Sequence, residues 1–421
     1  MGAMLQCVTA GESHGSALIA VCSGLPAGIE FGTADLEHAL ARRRLGYGRG
    51  ARQKFEQDCT RILSGLRHGK TLGSPLAIEI QNSEWCKWTA VMSPDRVPPE
   101  ALLVDAGKGD SREVARNKIL TKPRPGHADF AGMLKYGFTD ARNVLERSSA
   151  RETAARVALG AVAEALLAQV AGIHLVSHVV SLGDISVPDD AAVPSYADTE
   201  ALDENPMRCF DAATSDKMVA RLEAAKQSGD TLGGLVEVLA YGVPVGLGSY
   251  VSADRRLDAR LAAAVVSIQA IKGVEIGRAF RQAALPGSQA HDPIYLKSEQ
   301  APHESEKTNV SCGVWRPTNL AGGIEGGMSN GSPIVVRAPV KPISTVPQAL
   351  PTVDLATGQP AVGLHQRSDT TAVVPAAVIA QAEVAVVLAS ALLEKTGGDS
   401  VAEAKRNLEV YLGKLRERTS F

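Results

Sequence analysis

Aromatic side chains are scarce: Phe, Trp and Tyr make up 4% of the 421 residues, too few for the stacking platform that binders of single-stranded nucleic acid need. Net charge offers a polyanion reader nothing either, because 44 Lys+Arg stand against 46 Asp+Glu for a formal -2. Any basic site must be local. The six cysteines (Cys7, Cys22, Cys59, Cys86, Cys209 and Cys312) are scattered, with no Cys-x-x-Cys pair and no Cys/His cluster. This pattern predicts no metal site, no disulfide framework and a reducing, cytoplasmic setting. The N-terminal stretch to Gly15 lacks a basic segment followed by an apolar run, so no signal peptide is expected. The most apolar stretch, 371–393, is interrupted by Pro375, Gln381 and Glu383, which suits a buried helix rather than a membrane span. Nucleic acid, metal and membrane are therefore not expected partners.

What remains is an ordinary globular composition, 45% hydrophobic and 21% charged, in a chain longer than most single domains. Helical periodicity covers 151–170, 215–227, 255–271 and 375–395, and strand-like runs fall at 17–22, 76–80, 175–182, 234–241 and 334–340. Helices and strands mix without strict alternation, which predicts an α+β class. Residues 60–75 align without gaps with 318–333, and Gly24-Leu25-Pro26-Ala27-Gly28 matches Gly242-Val243-Pro244-Val245-Gly246. Each of the latter is followed by Ala-Asp and a helix, at Ala34-Asp35 and Ala253-Asp254. The expectation is a single unit over 1–421 built as an internal pseudo-duplication, with halves roughly 17–81 and 234–340 packing into one core. Segments 188–205 and 286–309, rich in turn residues, read as exposed connections.

Several clusters have the residue types that chemistry needs. In Gly11-Glu12-Ser13-His14-Gly15, two glycines allow close backbone approach to a ligand, and a histidine beside a hydroxyl suits proton transfer or a phosphate partner. In Lys122-Pro123-Arg124-Pro125-Gly126-His127-Ala128-Asp129, two prolines stiffen the approach to a histidine. Arg42, Arg43, Arg44, Arg49 and Arg52 crowd eleven residues, and arginine forks match carboxylate and phosphate. In a chain of this net charge the cluster implies a small polyanionic ligand, with a solvated helix end as the lesser alternative. Arg147, Ser148, Ser149 and Arg151 stand at the start of a long helix, where free N–H groups and the helix dipole favour an anion. Residues 322–331 are glycine-rich, with Lys341-Pro342-Ile343-Ser344-Thr345 one strand later, a set suited to a flavin phosphate or ring edge. Arg367 and Asp369 offer a cation and a carboxylate before the last of these helices. Two near-misses carry no weight. The stretch from Gly65 to Lys70-Thr71 has three residues between its glycines where a P-loop needs four, and Gly46-Tyr47-Gly48-Arg49-Gly50 lacks the dinucleotide spacing.

Taken in order, Gly11 to Gly15, Arg42 to Arg49, Arg124 to Asp129, Arg147 to Ala154, Gly322 to Gly331 and Lys341 to Thr345 resemble the signatures of the chorismate synthase family across almost the whole chain. The resemblance implies a homotetramer whose subunit sandwiches helices between antiparallel β-sheets. It implies reduced FMN as cofactor and a lyase reaction, the 1,4-elimination of phosphate from 5-enolpyruvylshikimate 3-phosphate to chorismate without net redox change, in the shikimate pathway to aromatic amino acids. By the same resemblance His14 protonates the departing phosphate, His127 protonates the reduced flavin, and Asp369 helps flavin N5 accept a proton. A histidine often precedes this aspartate in the family, and Ser368 stands there here. Arg43, Arg49, Arg124, Arg151 and Arg367 would hold the substrate, with Ser13 adding a hydrogen bond. The positions matching the flavin contacts are Arg147, Ser148, Ser149, Gln269, Ala270, Gly326, Lys341, Pro342, Ile343, Ser344, Thr345 and Arg367. With no added NADPH domain visible, an external flavin reductase is the expected source of reduced flavin. A non-catalytic flavin or phosphate-ligand binding protein on the same scaffold is the alternative.

Overall fold

Two long helices are apolar on every side, and that dictates where they lie. Helix α4 (Thr153–Ala171) and helix α7 (Val373–Thr396) are long and apolar enough to cross a membrane, yet most of each is buried inside the protein. A helix without a polar face belongs in a core. The computed structural model describes residues 5–48, 58–103, 116–296, 313–363 and 369–419.

On one side of the helices lies an antiparallel sheet of β1 (Gln6–Ala10), β2 (Ala17–Ser23), β3 (Cys59–Ser64) and β6 (Leu76–Gln81), in the order β1-β2-β6-β3. Leu18, Ala20, Cys22, Leu76, Ile78 and Ile80 alternate inward along β2 and β6, as a sheet with one buried face requires. On the other side β7 (His174–Leu182), β8 (Ile185–Ser186), β9 (Gly234–Tyr241), β10 (Glu275–Ile276) and β15 (Ile334–Val340) form the order β10-β15-β9-β7-β8. The outcome is α+β, with helices held between antiparallel sheets. The turn between β3 and β6 carries the hairpin of β4 (Leu66–Arg67) and β5 (Lys70–Thr71), so the misspaced P-loop sequence folds as a hairpin. The two-stranded pairs β11 (Tyr295–Leu296) with β12 (Val314–Trp315), β13 (Ile324–Glu325) with β14 (Met328–Ser329), and β16 (Pro351–Asp354) with β17 (Gln359–Val362) complete the described strands.

The segments that align in sequence make the same hydrogen bonds. Gly28 N–H donates to Thr71 O and Gly246 N–H to Ser329 O, both at 2.9 Å. The Thr71 hydroxyl accepts from Ile29 N at 2.9 Å and donates to Pro26 O at 2.7 Å; Ser329 repeats this with Leu247 N at 2.8 Å and Pro244 O at 2.6 Å. Gly65 and Gly323, with φ of 86° and 79°, each back onto the residues that open the next strand.

The periodic helices form over Thr153–Ala171, Val373–Thr396 and α5 (Ala212–Gln227), the last capped by Asp211. The expected helix over 255–271 is shorter, α6 (Leu257–Val266), because the chain turns at its end and puts Ala270 at φ 71°. Other helices lie outside those four periodic segments, two of them beside the long core helices. Helix α3 (Arg142–Ser148) precedes α4, and α8 (Val401–Arg418) is capped by Ser400, whose hydroxyl accepts from Glu403 N. Segment 188–205 is not merely an exposed connection. Its helix Thr199–Glu204 buries Leu202 against Val176 and Leu239 on the outer face of the second sheet. That cover explains how His178 and Glu237 come to be buried on neighbouring strands, Nε2 to Oε1 2.9 Å, with Arg337 Nε 2.5 Å from the other carboxylate oxygen. Of the segment 286–309, only 286–296 lies within the described residues, where Gly287–Ala290 is helical. The five described cysteines are free, although Cys7 and Cys22 are paired across β1 and β2 with their sulfurs 3.5 Å apart.

Two predictions test this core. A Cβ at Gly160 would fall 2.3 Å from Ala382 Cβ, so Gly160→Ala should force α4 and α7 apart. Overpacking costs about 1–3 kcal/mol, more than the roughly 1 kcal/mol that alanine gains in a helix. A thermal melt should show a lower Tm, and an unchanged or raised one would mean the helices are not in close contact there. The second concerns Glu237. Burial alone would raise its pKa, but the hydrogen bond from His178 and the charge of Arg337 outweigh burial and hold it below the ordinary value. A depressed carboxylate contributes stability above the unfolded pKa of about 4.3 and loses it as pH falls through the folded value. Glu237→Gln should therefore cost about 3–5 kcal/mol at pH 7 by leaving the charge of Arg337 uncompensated. In denaturant titrations the gap from wild type should narrow steadily below about pH 4.3, and a gap independent of pH would contradict this account.

Candidate active site

The loop Gly11–Gly15 joins β1 to β2 and is braced from below. Gly11 has φ 101°, and a Cβ there would lie 2.3 Å from Ala17 O, so no other residue fits. Buried Asn82, just after β6, donates to Glu12 O at 3.2 Å and Gly15 O at 2.7 Å. Ser13 N–H donates to Glu146 O at 2.9 Å, and the hydroxyls of Ser149 and Ser13 are 3.2 Å apart. His14 N–H donates to Glu146 Oε2 at 2.9 Å, and Nδ1 lies 3.0 Å from both carboxylate oxygens. The imidazole stacks on Trp88 with ring centres 3.8 Å apart. Arg116 and Arg142 lie over the same indole, at 5.2 and 5.4 Å. Arg142 also pairs with Glu146 at 3.4 Å, one helical turn earlier on α3.

His127 has a matching environment. Gly126 takes φ 75°, and helix α2 (Asp129–Tyr136) begins two residues after the histidine. Asp129 is fully buried. Its Oδ2 accepts from Arg124 N at 3.1 Å and Nε at 2.8 Å; its Oδ1 lies 2.5 Å from His127 Nδ1 and 3.2 Å from Arg124 Nη2. Burial would raise this carboxyl, but the hydrogen bonds and charges of His127 and Arg124 hold it far below the carboxylate range. Arg124 also donates to the Thr345 hydroxyl at 3.2 Å, and Lys341 Nζ to the Gly126 carbonyl, so the 341–345 loop is fastened to the His127 turn.

The other expected residues gather around these two centres. Arg43 is buried, not a solvated helix end. Its Nε donates to Thr153 Oγ1 at 3.0 Å and Nη2 to Ala150 O at 2.9 Å, which holds α1 (Thr33–Arg44) to the entry of α4. Arg151 pairs with Asp58 at 2.5 Å and Asn82 at 3.1 Å. Arg147 is exposed and donates to Thr9 O and Gly11 O, at 2.8 and 3.2 Å. Ser149 caps the 150–152 turn, while the Ser148 hydroxyl donates to Val144 O at 2.9 Å. Gln269 Nε2 donates to Glu152 Oε2 at 3.0 Å, and Ala270 O accepts from Lys341 N at 2.9 Å, which links the two centres. Pro342 packs against Gly233, and Ile343 O accepts from Thr231 Oγ1 at 2.9 Å. Beside Asp369, Thr370 N–H donates to Gly48 O at 3.1 Å and Thr370 O accepts from Leu232 N at 2.9 Å, so Asp369 sits by the arginine-rich loop. Arg49 and Arg367 lie outside the described residues.

Gly326 does not join them. It turns the β13–β14 hairpin at φ 58° and lines a cavity of about 350 Å³ with Asp258, Gln282, His291 and Asp292. That hairpin meets the start of α6, where Leu257 N–H donates to Gly327 O at 2.9 Å. Gln269 lies beyond the other end of the helix, about 15 Å away by helical rise.

A flavin fits the remaining groups. Among the described residues the buried Gln269 side-chain oxygen has no hydrogen-bond partner, a cost that a ligand donor would remove. Ala270 beside it holds a left-handed backbone unusual for a residue with a Cβ. Among the described residues no group of three or more His, Cys, Asp or Glu is placed to hold a metal ion. Sequence reasoning did not single out Glu146, Trp88, Asn82 or Asp58. Only Glu146 left a signal, its spacing of one helical turn from Arg142; the others meet their partners across distant segments.

With this geometry in view, comparison with known proteins is direct. The sequence model of the family described as "Chorismate synthase" matches residues 5–393. The chorismate synthase of Beutenbergia cavernae is 59% identical over 415 residues, covering 99% of this chain and all of that one. That of Thermobifida fusca is 57% identical over 412 residues, covering 98% and 99%. A chorismate synthase crystal structure superposes with a TM-score of 0.73 at 35% identity, covering 99% of this chain and 100% of the other. The chain belongs to the chorismate synthase family.

Proposed function

We propose that the two histidine centres carry out the reaction of the family, in which a carbon–oxygen lyase eliminates phosphate from 5-enolpyruvylshikimate 3-phosphate to give chorismate. What carries this reading is the fastening of His14 and His127 to buried carboxylates at two linked points. His14 faces the departing phosphate and gives it a proton from Nε2. His127 holds a proton for the reduced cofactor, and Asp369 assists removal of the proton lost from the substrate. Arg43, Arg49, Arg124, Arg151 and Arg367, with Ser13, hold the phosphate and two carboxylates. The three described ones among these arginines already engage protein acceptors, so much of their contribution to a polyanion is a fixed positive field.

The flavin is FMN in its reduced form, held by Arg147, Ser148, Ser149, Gln269, Ala270, the 341–345 loop and Arg367. When bound, it supplies electron density to the substrate and regains it, so no net oxidation results. Gly326, on the far end of α6, reaches a flavin only from a second copy of the chain, in keeping with the homotetramer that the resemblance implies. Reduction by an external reductase, a cytoplasmic location, and one unit of two related halves, roughly 17–81 and 234–340, complete the reading. The last is supported by the repeated hydrogen bonds at Thr71 and Ser329.

The test is anaerobic turnover of 5-enolpyruvylshikimate 3-phosphate with chemically reduced FMN, following chorismate absorbance and phosphate release. Stoichiometric products are expected, with His127→Ala slower by about 10²–10⁴. Tight flavin binding without product would instead identify a non-catalytic binder on this scaffold. Separately, Gln269→Ala should weaken FMN binding about five- to tenfold, the worth of one hydrogen bond. Fluorescence titration measures this, and unchanged affinity would remove Gln269 from the flavin site.

A further inference from the structure

His14 and His127 come from different parts of the chain, yet each is held in the same way. One nitrogen, Nδ1, faces a carboxylate: Glu146 at 3.0 Å for His14 and Asp129 at 2.5 Å for His127. Both carboxylates are almost wholly buried, with side-chain exposures of 2% and 0%. Each is fixed in turn by an arginine, Arg142 for Glu146 at 3.4 Å and Arg124 for Asp129 at 2.8 Å. We infer that Glu146 and Asp129 are positioning residues for the reaction, each fixing the Nδ1–H tautomer and ring orientation of its histidine so that Nε2 is the nitrogen presented to the reacting groups.

The chemistry of the partners supports this. An ionised carboxylate only accepts, so the nitrogen facing it must carry the proton. Arg124 Nη2 also lies near the His127 ring, 3.1 Å from Nδ1 and 3.3 Å from Nε2, but a guanidinium only donates and offers no competing acceptor. Among the described residues His14 also meets the Trp88 face, with Arg116 and Arg142 over the same indole, and none of these is an acceptor for Nδ1–H. Proton transfer then runs in one direction. The Nε2–H bond of an imidazolium breaks, its electrons stay on nitrogen, and the proton forms an O–H bond on the leaving phosphate at His14. The ring returns to neutral with its Nδ1–H still donated to the carboxylate. The sequence resemblance assigned these carboxylates no role.

This inference rests on the reading of His14 and His127 as proton carriers, and the experiment separates the two. In Asp129→Asn the amide oxygen should stay where Arg124 N and Nε converge on Oδ2. The NH2 group then faces His127 Nδ1 and donates to it, which drives the neutral ring to the Nε2–H tautomer. Solid-state ¹⁵N NMR of histidine-labelled enzyme reads the tautomer directly, with the His127 signals assigned by their loss in His127→Asn. The expected result is a switch of tautomer and a kcat lower by about 10²–10⁴, with KM changed less than about threefold. Asp129→Glu, which restores an acceptor, should recover part of the rate. Glu146→Gln tests the same inference at His14 and decides it if Asp129→Asn melts too low to assay. A ring that keeps its Nδ1–H signal, or a kcat within about threefold of wild type, overturns the inference. A fully active His127→Asn would sink the reading of His127 itself, whereas an inactive His127→Asn beside an active Asp129→Asn sinks only the positioning role.

Discussion

The contact between α4 and α7, made through a glycine with no room for a methyl group, is the constraint on which the rest of the structure depends. Both sheets pack against this helix pair, so its spacing sets the distance between them. The entry to α4 is where the candidate site is assembled: Arg147, Ser149, Arg151 and Glu152 precede its first turn, and Arg43, the Gly11 loop and Gln269 converge on them. A site mounted on the end of a buried helix has the rigidity that preorganised catalysis needs. It also inherits any change in how that helix is packed.

Charge is the second organising force. Burying an arginine or a carboxylate alone is costly, and pairing offsets the cost only when the geometry is good and the remaining donors are satisfied. The candidate site solves this with chains of partners rather than isolated pairs. Glu152 illustrates the balance: burial pushes its carboxyl up, but Thr9, Gln269 and Arg156 together hold it below the ordinary value. Read from sequence, the arginines were forks awaiting an anionic ligand. In the folded chain they also fasten backbone to backbone, with Arg43 on Ala150 O and Arg147 on Gly11 O. One residue type thus supplies both the field for a polyanion and the struts that keep it fixed.

What could be read in advance follows from this division. Strands at 234–241 and 334–340 were legible because alternation and β-branched content are local properties. So were the long helices, although the helix expected over 255–271 stops early because the turn into Ala270 depends on its bond to Lys341 and not on local propensity. His14 and His127 were visible because glycine and proline bracket them. Their carboxylates were harder to assign, since Glu146 lies on α3, far along the chain from the loop that holds His14, and Asp129, though visible beside His127, resembles an ordinary first-turn acid. Asp58, Asn82 and Trp88 were invisible for a plainer reason: their roles are contacts between segments far apart in the chain. The fold was largely written in local pattern, and the fastening of the site was not.

The repeated hairpins show where sequence signals mislead. At matching places in the two turns stand His68 and Gly326, and both take the left-handed backbone, with φ of 50° and 58°. The turn therefore demands that conformation whatever side chain occupies it, and glycine is simply the residue that adopts it without strain. The same holds for Gly65 with Gly323 and for Gly73 with Gly331, whose φ values also agree in sign. A glycine-rich stretch that looked like a phosphate cradle is thus explained by the hairpin alone. Any role for Gly326 in holding a flavin must rest on what approaches its exposed backbone, because the fold already accounts for the residue itself.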